Sequence, residues 1–143
     1  MQSLQYEVLM AAVLVVDDDQ DLADVVGEVL RAQGHEVQCA ADGSEGLKLV
    51  EQKLPDLLVL DVEMPVLSGP DMANRLLIDD MGRENIPIVL LSGVADLSRA
   101  TAMVGTPYAL RKPTTLSSLL AMVRRALAER TAPSPQLPAN LPD

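Results

Sequence analysis

Phenylalanine and tryptophan are absent from this 143-residue chain, tyrosine occurs only as Tyr6 and Tyr108, and cysteine and histidine occur once each, as Cys39 and His35. So few aromatic rings give no platform on which the bases of single-stranded nucleic acid stack. One cysteine closes no intramolecular disulfide and by itself forms no thiolate zinc site. There is no uninterrupted apolar stretch of about 18 residues and no basic, then apolar, leader, so a cytoplasmic chain without membrane insertion is predicted. Positive charge is also scarce. Eleven Lys and Arg against 21 Asp and Glu give a net charge of −10, which argues against a nonspecific grip on phosphate backbones and predicts no nucleic-acid partner. The length suffices for one ordinary domain, so a catalytic or DNA-binding module would lie outside this chain.

The acidity is unevenly placed. Residues 1–98 carry 19 acids against 5 bases, and residues 99–143 carry 2 against 6. Hydrophobic residues still make up 48% of the chain, so the core is built from Leu, Val, Ile, Ala and Met. Three runs are continuously apolar: Val13 to Val16, Leu57 to Leu60 and Ile88 to Leu91. Unbroken apolarity is the pattern of a strand covered on both faces, as in parallel sheets. Each run stops at a polar residue, Asp17, Asp61 or Ser92, and functional groups collect beyond the carboxyl ends of such strands.

Helical periodicity fills the intervals. Leu22, Val25, Val26, Val29 and Leu30 predict a helix capped by Asp19 or Asp21 and stopped by Gly34. A second runs from about Ser44 to Lys53 before Pro55, and Pro70 opens a third carrying Met72, Leu76 and Leu77. Asp96 caps a short fourth that ends at Gly105. Leu116, Leu119, Leu120, Val123 and Leu127 form the stripe of the last, with Thr115 as its cap. Two more strands are predicted at His35 to Ala40 and Tyr108 to Arg111. Strand and helix then alternate five times, which with right-handed crossovers gives an α/β, doubly wound, five-stranded parallel sheet. Residues 1–10 read as an N-terminal extension, in which Met10 is an alternative start. Residues 131–143, with their Pro spacing, read as a disordered tail or linker.

Asp17, Asp18 and Asp19 follow one buried strand and Asp61 ends another. Carboxylates gathered at one edge repel unless a cation neutralises them, and an all-oxygen donor set suits Mg²⁺, Mn²⁺ or Ca²⁺ better than zinc. A metal among carboxylates screens an incoming phosphate so that a carboxylate can attack phosphorus. Ser92 supplies a hydroxyl for a phosphoryl oxygen and Lys112 a point charge. Asp19 reads as a helix cap, His35 as a turn or strand-edge residue, Arg111 as a solvated surface residue, and Cys39 as packing.

The strings Val-Leu-Val-Val-Asp-Asp-Asp (13–19), Leu-Asp-Val-Glu-Met-Pro-Val-Leu-Ser-Gly (60–69), Leu-Ser-Gly (91–93) and Arg-Lys-Pro (111–113) together resemble the receiver (CheY-like) domain of two-component response regulators. The resemblance covers roughly residues 11–130. It implies a flavodoxin-like (βα)₅ fold of three layers and a chain that takes a phosphoryl group from a sensor histidine kinase or phosphotransfer protein. Position by position, it makes Asp61 the phosphoacceptor, Asp18 a direct Mg²⁺ ligand, Asp17 a ligand mainly through water, and Glu63 a ligand through its backbone carbonyl. It makes Ser92 the switch hydroxyl and Lys112 the phosphate contact, with a cis bond from Lys112 to Pro113. No enzymatic turnover is implied beyond gain and loss of that phosphoryl group.

Two departures from the family pattern stand out. Ala109 occupies the usual aromatic position, with Tyr108 one place earlier and so on the opposite face, and the segment from Ser92 to Gly105 is short. Glu63 and Val94 occupy positions that in this family flank the route of the hydrolytic water, so both are expected to set dephosphorylation rate. The leading expectation is a single-domain regulator, monomeric or weakly dimeric, that binds a downstream protein when phosphorylated. A scaffold-type receiver indifferent to phosphorylation, and a module of a larger hybrid kinase or multidomain regulator, fit the same residues.

Overall fold

The computed structural model describes residues 10–63, 71–73, 86–93 and 97–134. Its strands are β1 (Ala12–Val16), β2 (Glu36–Ala40), β3 (Leu57–Asp61), β4 (Ile88–Ser92) and β5 (Tyr108–Arg111). Its helices are α1 (Gln20–Ala32), α2 (Gly43–Gln52), α3 (Leu97–Val104) and α4 (Leu116–Glu129), with residues 71–73 also helical. The five strands form one parallel sheet in the order β2-β1-β3-β4-β5.

The unbroken apolar runs have the origin expected of them, because each strand alternates between two cores. Val13, Val15, Leu57, Val59, Val89 and Leu91 face α1 and α4, where Ala23, Val26, Leu30, Leu119, Val123 and Ala126 cover them. Leu14, Val16, Leu58, Leu60, Ile88 and Leu90 face the other side, covered by Val50, Met72, Ala100 and Val104. All five residues of β3, the central strand, are buried. Both faces being covered removes any role for polar alternation and leaves only the strand ends free to carry charge.

Local signals set the helix boundaries. Asp19 caps α1 by accepting from the Leu22 N–H, and Gly34 adopts φ +98° just beyond its end. Asp42 caps α2 through the Glu45 N–H while Glu45 bonds back to the Ala41 N–H, so the helix starts one residue before the predicted Ser44. The buried stripe of α1 is Ala23, Val26, Gly27 and Leu30, which leaves Val25, predicted to face inward, 44% exposed. Leu116 is likewise 39% exposed, because a helix's first residue lies beyond the sheet it packs on. Of the predicted third helix, Met72 is buried, while Pro70, Leu76 and Leu77 lie outside the described residues, as does Asp96.

The displaced aromatic goes where strand periodicity sends it. Tyr108 is fully buried with Val89, Leu91 and Leu119, whereas Ala109 packs on the opposite core. The Tyr108 hydroxyl donates to Glu129 Oε1 at 3.1 Å and accepts from the Thr131 N–H at 3.2 Å, and the Arg125 guanidinium lies 5.4 Å from the ring centroid. Residues 131–134 have no regular structure, yet Pro133 is buried and the Ser134 N–H donates to Gly105 O. His35 accepts from the Ala11 N–H through Nδ1, which fixes the tautomer protonated at Nε2 and ties the start of β1 to β2. Tyr108→Phe leaves the packing intact but removes both hydroxyl bonds. It is expected to cost about 1 kcal/mol in urea unfolding and to speed hydrogen exchange at the Thr131 amide.

Candidate functional site

Register alone brings the polar strand ends together. Val16 pairs with Leu60, so Asp17 and Asp61, one residue further on, lie side by side at the carboxyl edge. Asp61 pairs with Leu91 across β3 and β4, which places Ser92 just beyond it, and Ser92 pairs with Arg111 across β4 and β5, which delivers Lys112 to the same edge. Between β1 and β3 the chain leaves to form β2 on the outer side, so the crevice between Asp17 and Asp61 is the point at which the winding reverses. Backbone bonds fix these ends: Asp17 N–H to Ala40 O, Val62 N–H to Leu91 O, and Lys112 N–H to Ser92 O.

The side chains converge in turn. Lys112 Nζ lies 3.1 Å from Asp17 Oδ2 and 3.2 Å from Asp61 Oδ1, and one carboxylate oxygen each from Asp17, Asp18 and Asp61 fall within 4.8 Å of one another. Asp17 and Asp61 are buried and Asp18 is exposed. The second Asp17 oxygen accepts from the Asp19 N–H, which locks the carboxylate at the head of α1. The bond from Lys112 to Pro113 is cis. Arg111 is exposed. Cys39 is half-buried on β2, packed against the core under α1, and burial pushes its thiol up.

This crowding costs electrostatic energy. Burial, then the neighbouring Asp17 charge, push the Asp61 carboxyl up to about 7 against the pull of Lys112. Burial draws Lys112 down, but its hydrogen bond to Asp17 and the adjacent Asp17 and Asp61 charges outweigh that and leave it above its ordinary value. Despite its distance from Nζ, Asp61 Oδ1 is buried without a hydrogen bond of adequate angle. An under-satisfied buried oxygen beside two further carboxylates is the donor set that a hard divalent cation fits.

Ser92 is fully buried, and its hydroxyl donates to Glu63 Oε2 at 2.9 Å. The Gly93 N–H donates to Glu63 Oε1, also at 2.9 Å. The sequence assigned Glu63 a backbone role and a place by the water route, and this forked contact of its side chain was missed. Its signal was present: a long carboxylate two residues past one strand end, opposite a hydroxyl and a free N–H at the next. Val94 lies outside the described residues.

A sequence profile described as the response regulator receiver domain matches residues 13–124. The transcriptional regulatory protein PrrA of Mycobacterium tuberculosis is 37% identical over 120 residues, which is 82% of this chain and 50% of that protein. The DNA-binding dual master transcriptional regulator RpaA of Synechocystis is 34% identical over 129 residues, 89% of this chain and 53% of that protein. The chain therefore spans about half the length of the curated relatives it matches. A putative response regulator from Chloroflexus aurantiacus is similar in structure, with a TM-score of 0.74, 33% identity, and coverage of 82% of this chain and 98% of that one. No helix among the described residues is long and apolar enough to cross a membrane. The fold, the ordered motifs and the profile agree that this chain belongs to the receiver-domain family of two-component response regulators.

Proposed function

We propose that Asp61 is the phosphoacceptor of this receiver, with Asp17, Asp18, Asp61 and the Glu63 carbonyl holding Mg²⁺. The observation that carries this reading is the Lys112 ammonium set 3.1 Å from Asp17 and 3.2 Å from Asp61 within a cluster of three carboxylates. When bound, Mg²⁺ neutralises the carboxylates and screens the oxygens of an incoming phosphate.

An Asp61 oxygen attacks phosphorus and a new O–P bond forms. The bond from phosphorus to the donor, an imidazole nitrogen of a phosphohistidine or an acetate oxygen of acetyl phosphate, breaks, and its electron pair leaves with the donor. Lys112 holds its charge beside the incoming phosphoryl oxygens, and the Ser92 hydroxyl donates to one of them. The kinase or phosphotransfer partner and a downstream protein act from outside the chain, in the cytoplasm, on a receiver unit of residues 11–130. The basic stretch from residue 99 onward favours an acidic surface on the downstream partner. DNA contact, named for the longer relative, belongs to a part outside this acidic chain, which would make the chain the receiver module of a larger regulator.

A second reading, a receiver that binds its partner regardless of phosphorylation, draws on Tyr108. The ring is buried and tied to Glu129 and Thr131, away from the position where the family couples an aromatic to the switch. Partner affinity with and without beryllofluoride and Mg²⁺ separates the two readings.

Incubation with acetyl phosphate and Mg²⁺ is expected to add one phosphoryl mass to the wild type and none to Asp61→Asn. An unmodified wild type, or a modified variant, overturns the assignment. A stability measurement reads the same residue independently. With its folded pKa raised, Asp61 favours folding fully below the usual carboxylate range, and that contribution is lost as pH rises through about 7. In chelator, urea titrations near neutral pH should therefore show Asp61→Asn more stable than wild type by roughly 2 kcal/mol, with the gap closing toward about pH 4.

A further inference from the structure

Glu63 stands just past the end of β3, and its carboxylate reaches sideways over the end of β4. One oxygen takes the Ser92 hydroxyl and the other takes the Gly93 N–H, each at 2.9 Å. These two donors belong to adjacent residues and converge on one anionic group, which is the geometry of an oxyanion seat. The seat adjoins the carboxylate cluster. A methyl placed on Gly93 would lie 3.5 Å from Glu63 Oε1 and 3.9 Å from Lys112 Cβ, so the Glu63 head and the Lys112 stem flank one small volume. Ser92 is fully buried, whereas Glu63 is exposed, so the hydroxyl is fixed by the fold and the glutamate is the part free to leave.

We infer that the Glu63 carboxylate is a resident competitor for the phosphoryl oxygens, occupying the Ser92 hydroxyl and Gly93 N–H that a phosphoryl group on Asp61 would otherwise engage. The inference rests on the reading of Asp61 as phosphoacceptor. A hydroxyl and an amide each carry one proton, so a donor given to Glu63 is withheld from a phosphoryl oxygen. Two anions cannot share the seat without strong repulsion. Glu63 is therefore a positioning residue that holds Ser92 before phosphorylation and is expelled by it, and its grip sets how readily the phosphorylated arrangement forms.

The test is beryllofluoride binding, with Mg²⁺, to the full 143-residue chain. Truncating the competitor in Glu63→Ala releases two charge-assisted bonds, so affinity should rise about tenfold or more. Loss of a negative charge alone would also raise affinity, and the Ser92→Ala background distinguishes the two. Competition predicts a clearly smaller gain from Glu63→Ala there, whereas a charge acting at a distance gives the same gain in both backgrounds. In ligand-free protein, Glu63→Ala should also move the Gly93 amide proton upfield, because its carboxylate acceptor is gone. Equal affinities of wild type and Glu63→Ala, equal gains in the two backgrounds, or an unmoved Gly93 amide would overturn the competition while leaving Asp61 as acceptor. Failure of the wild type to bind beryllofluoride would overturn the acceptor reading and this inference with it.

Discussion

One ammonium between two buried carboxylates holds the functional edge of this molecule together. Lys112 meets Asp17 and Asp61 at 3.1 and 3.2 Å, and the three groups stand at the carboxyl ends of three different strands. Removing charge from water is costly, and a buried pair of like charges is costlier still. A single cation offsets part of that cost and leaves one Asp61 oxygen unsatisfied. Three carboxylates gathered around one ammonium leave a surplus of negative charge of the kind that a divalent cation would neutralise.

The parts of this arrangement that were readable from sequence are those governed by short-range rules. Both-face burial makes Val13 to Val16, Leu57 to Leu60 and Ile88 to Leu91 continuous, a parallel sheet with those runs in register lines up Asp17, Asp61 and Ser92, and the pairing of β5 on β4 adds Lys112. Caps such as Asp19 and Thr115 were equally legible, because one side chain satisfies one nearby N–H. The misreadings were questions of degree along a helix. Val25 and Leu116 fit the apolar period, but Val25 lies beside the buried stripe of Ala23, Val26, Gly27 and Leu30 and Leu116 is the first residue of its helix, and only the packed structure decides that. The Glu63 fork escaped for a different reason. It joins residues 30 apart through rotamers, and spacing alone does not encode rotamers.

The tyrosine tells the same story at the far end of β5. A shift of one residue places Tyr108 in the core beneath α1 and α4 and makes its hydroxyl the anchor of residues 129–131. Ala109, in the position it vacates, has no reach beyond its own methyl. Thr131 is therefore fastened to Tyr108 at the start of the strand that leads to Lys112, and Ser134 to Gly105 just past the end of α3.

Asp17 and Lys112 are 95 positions apart, one after the first strand and the other after the last. Closing a loop that long is among the later events for a chain whose strand pairings are non-local. During synthesis the ribosome must release nearly the whole receiver before its ammonium can reach the carboxylates. A nascent or truncated chain lacking β5 therefore leaves the Asp17 and Asp61 carboxylates without the ammonium that offsets their repulsion.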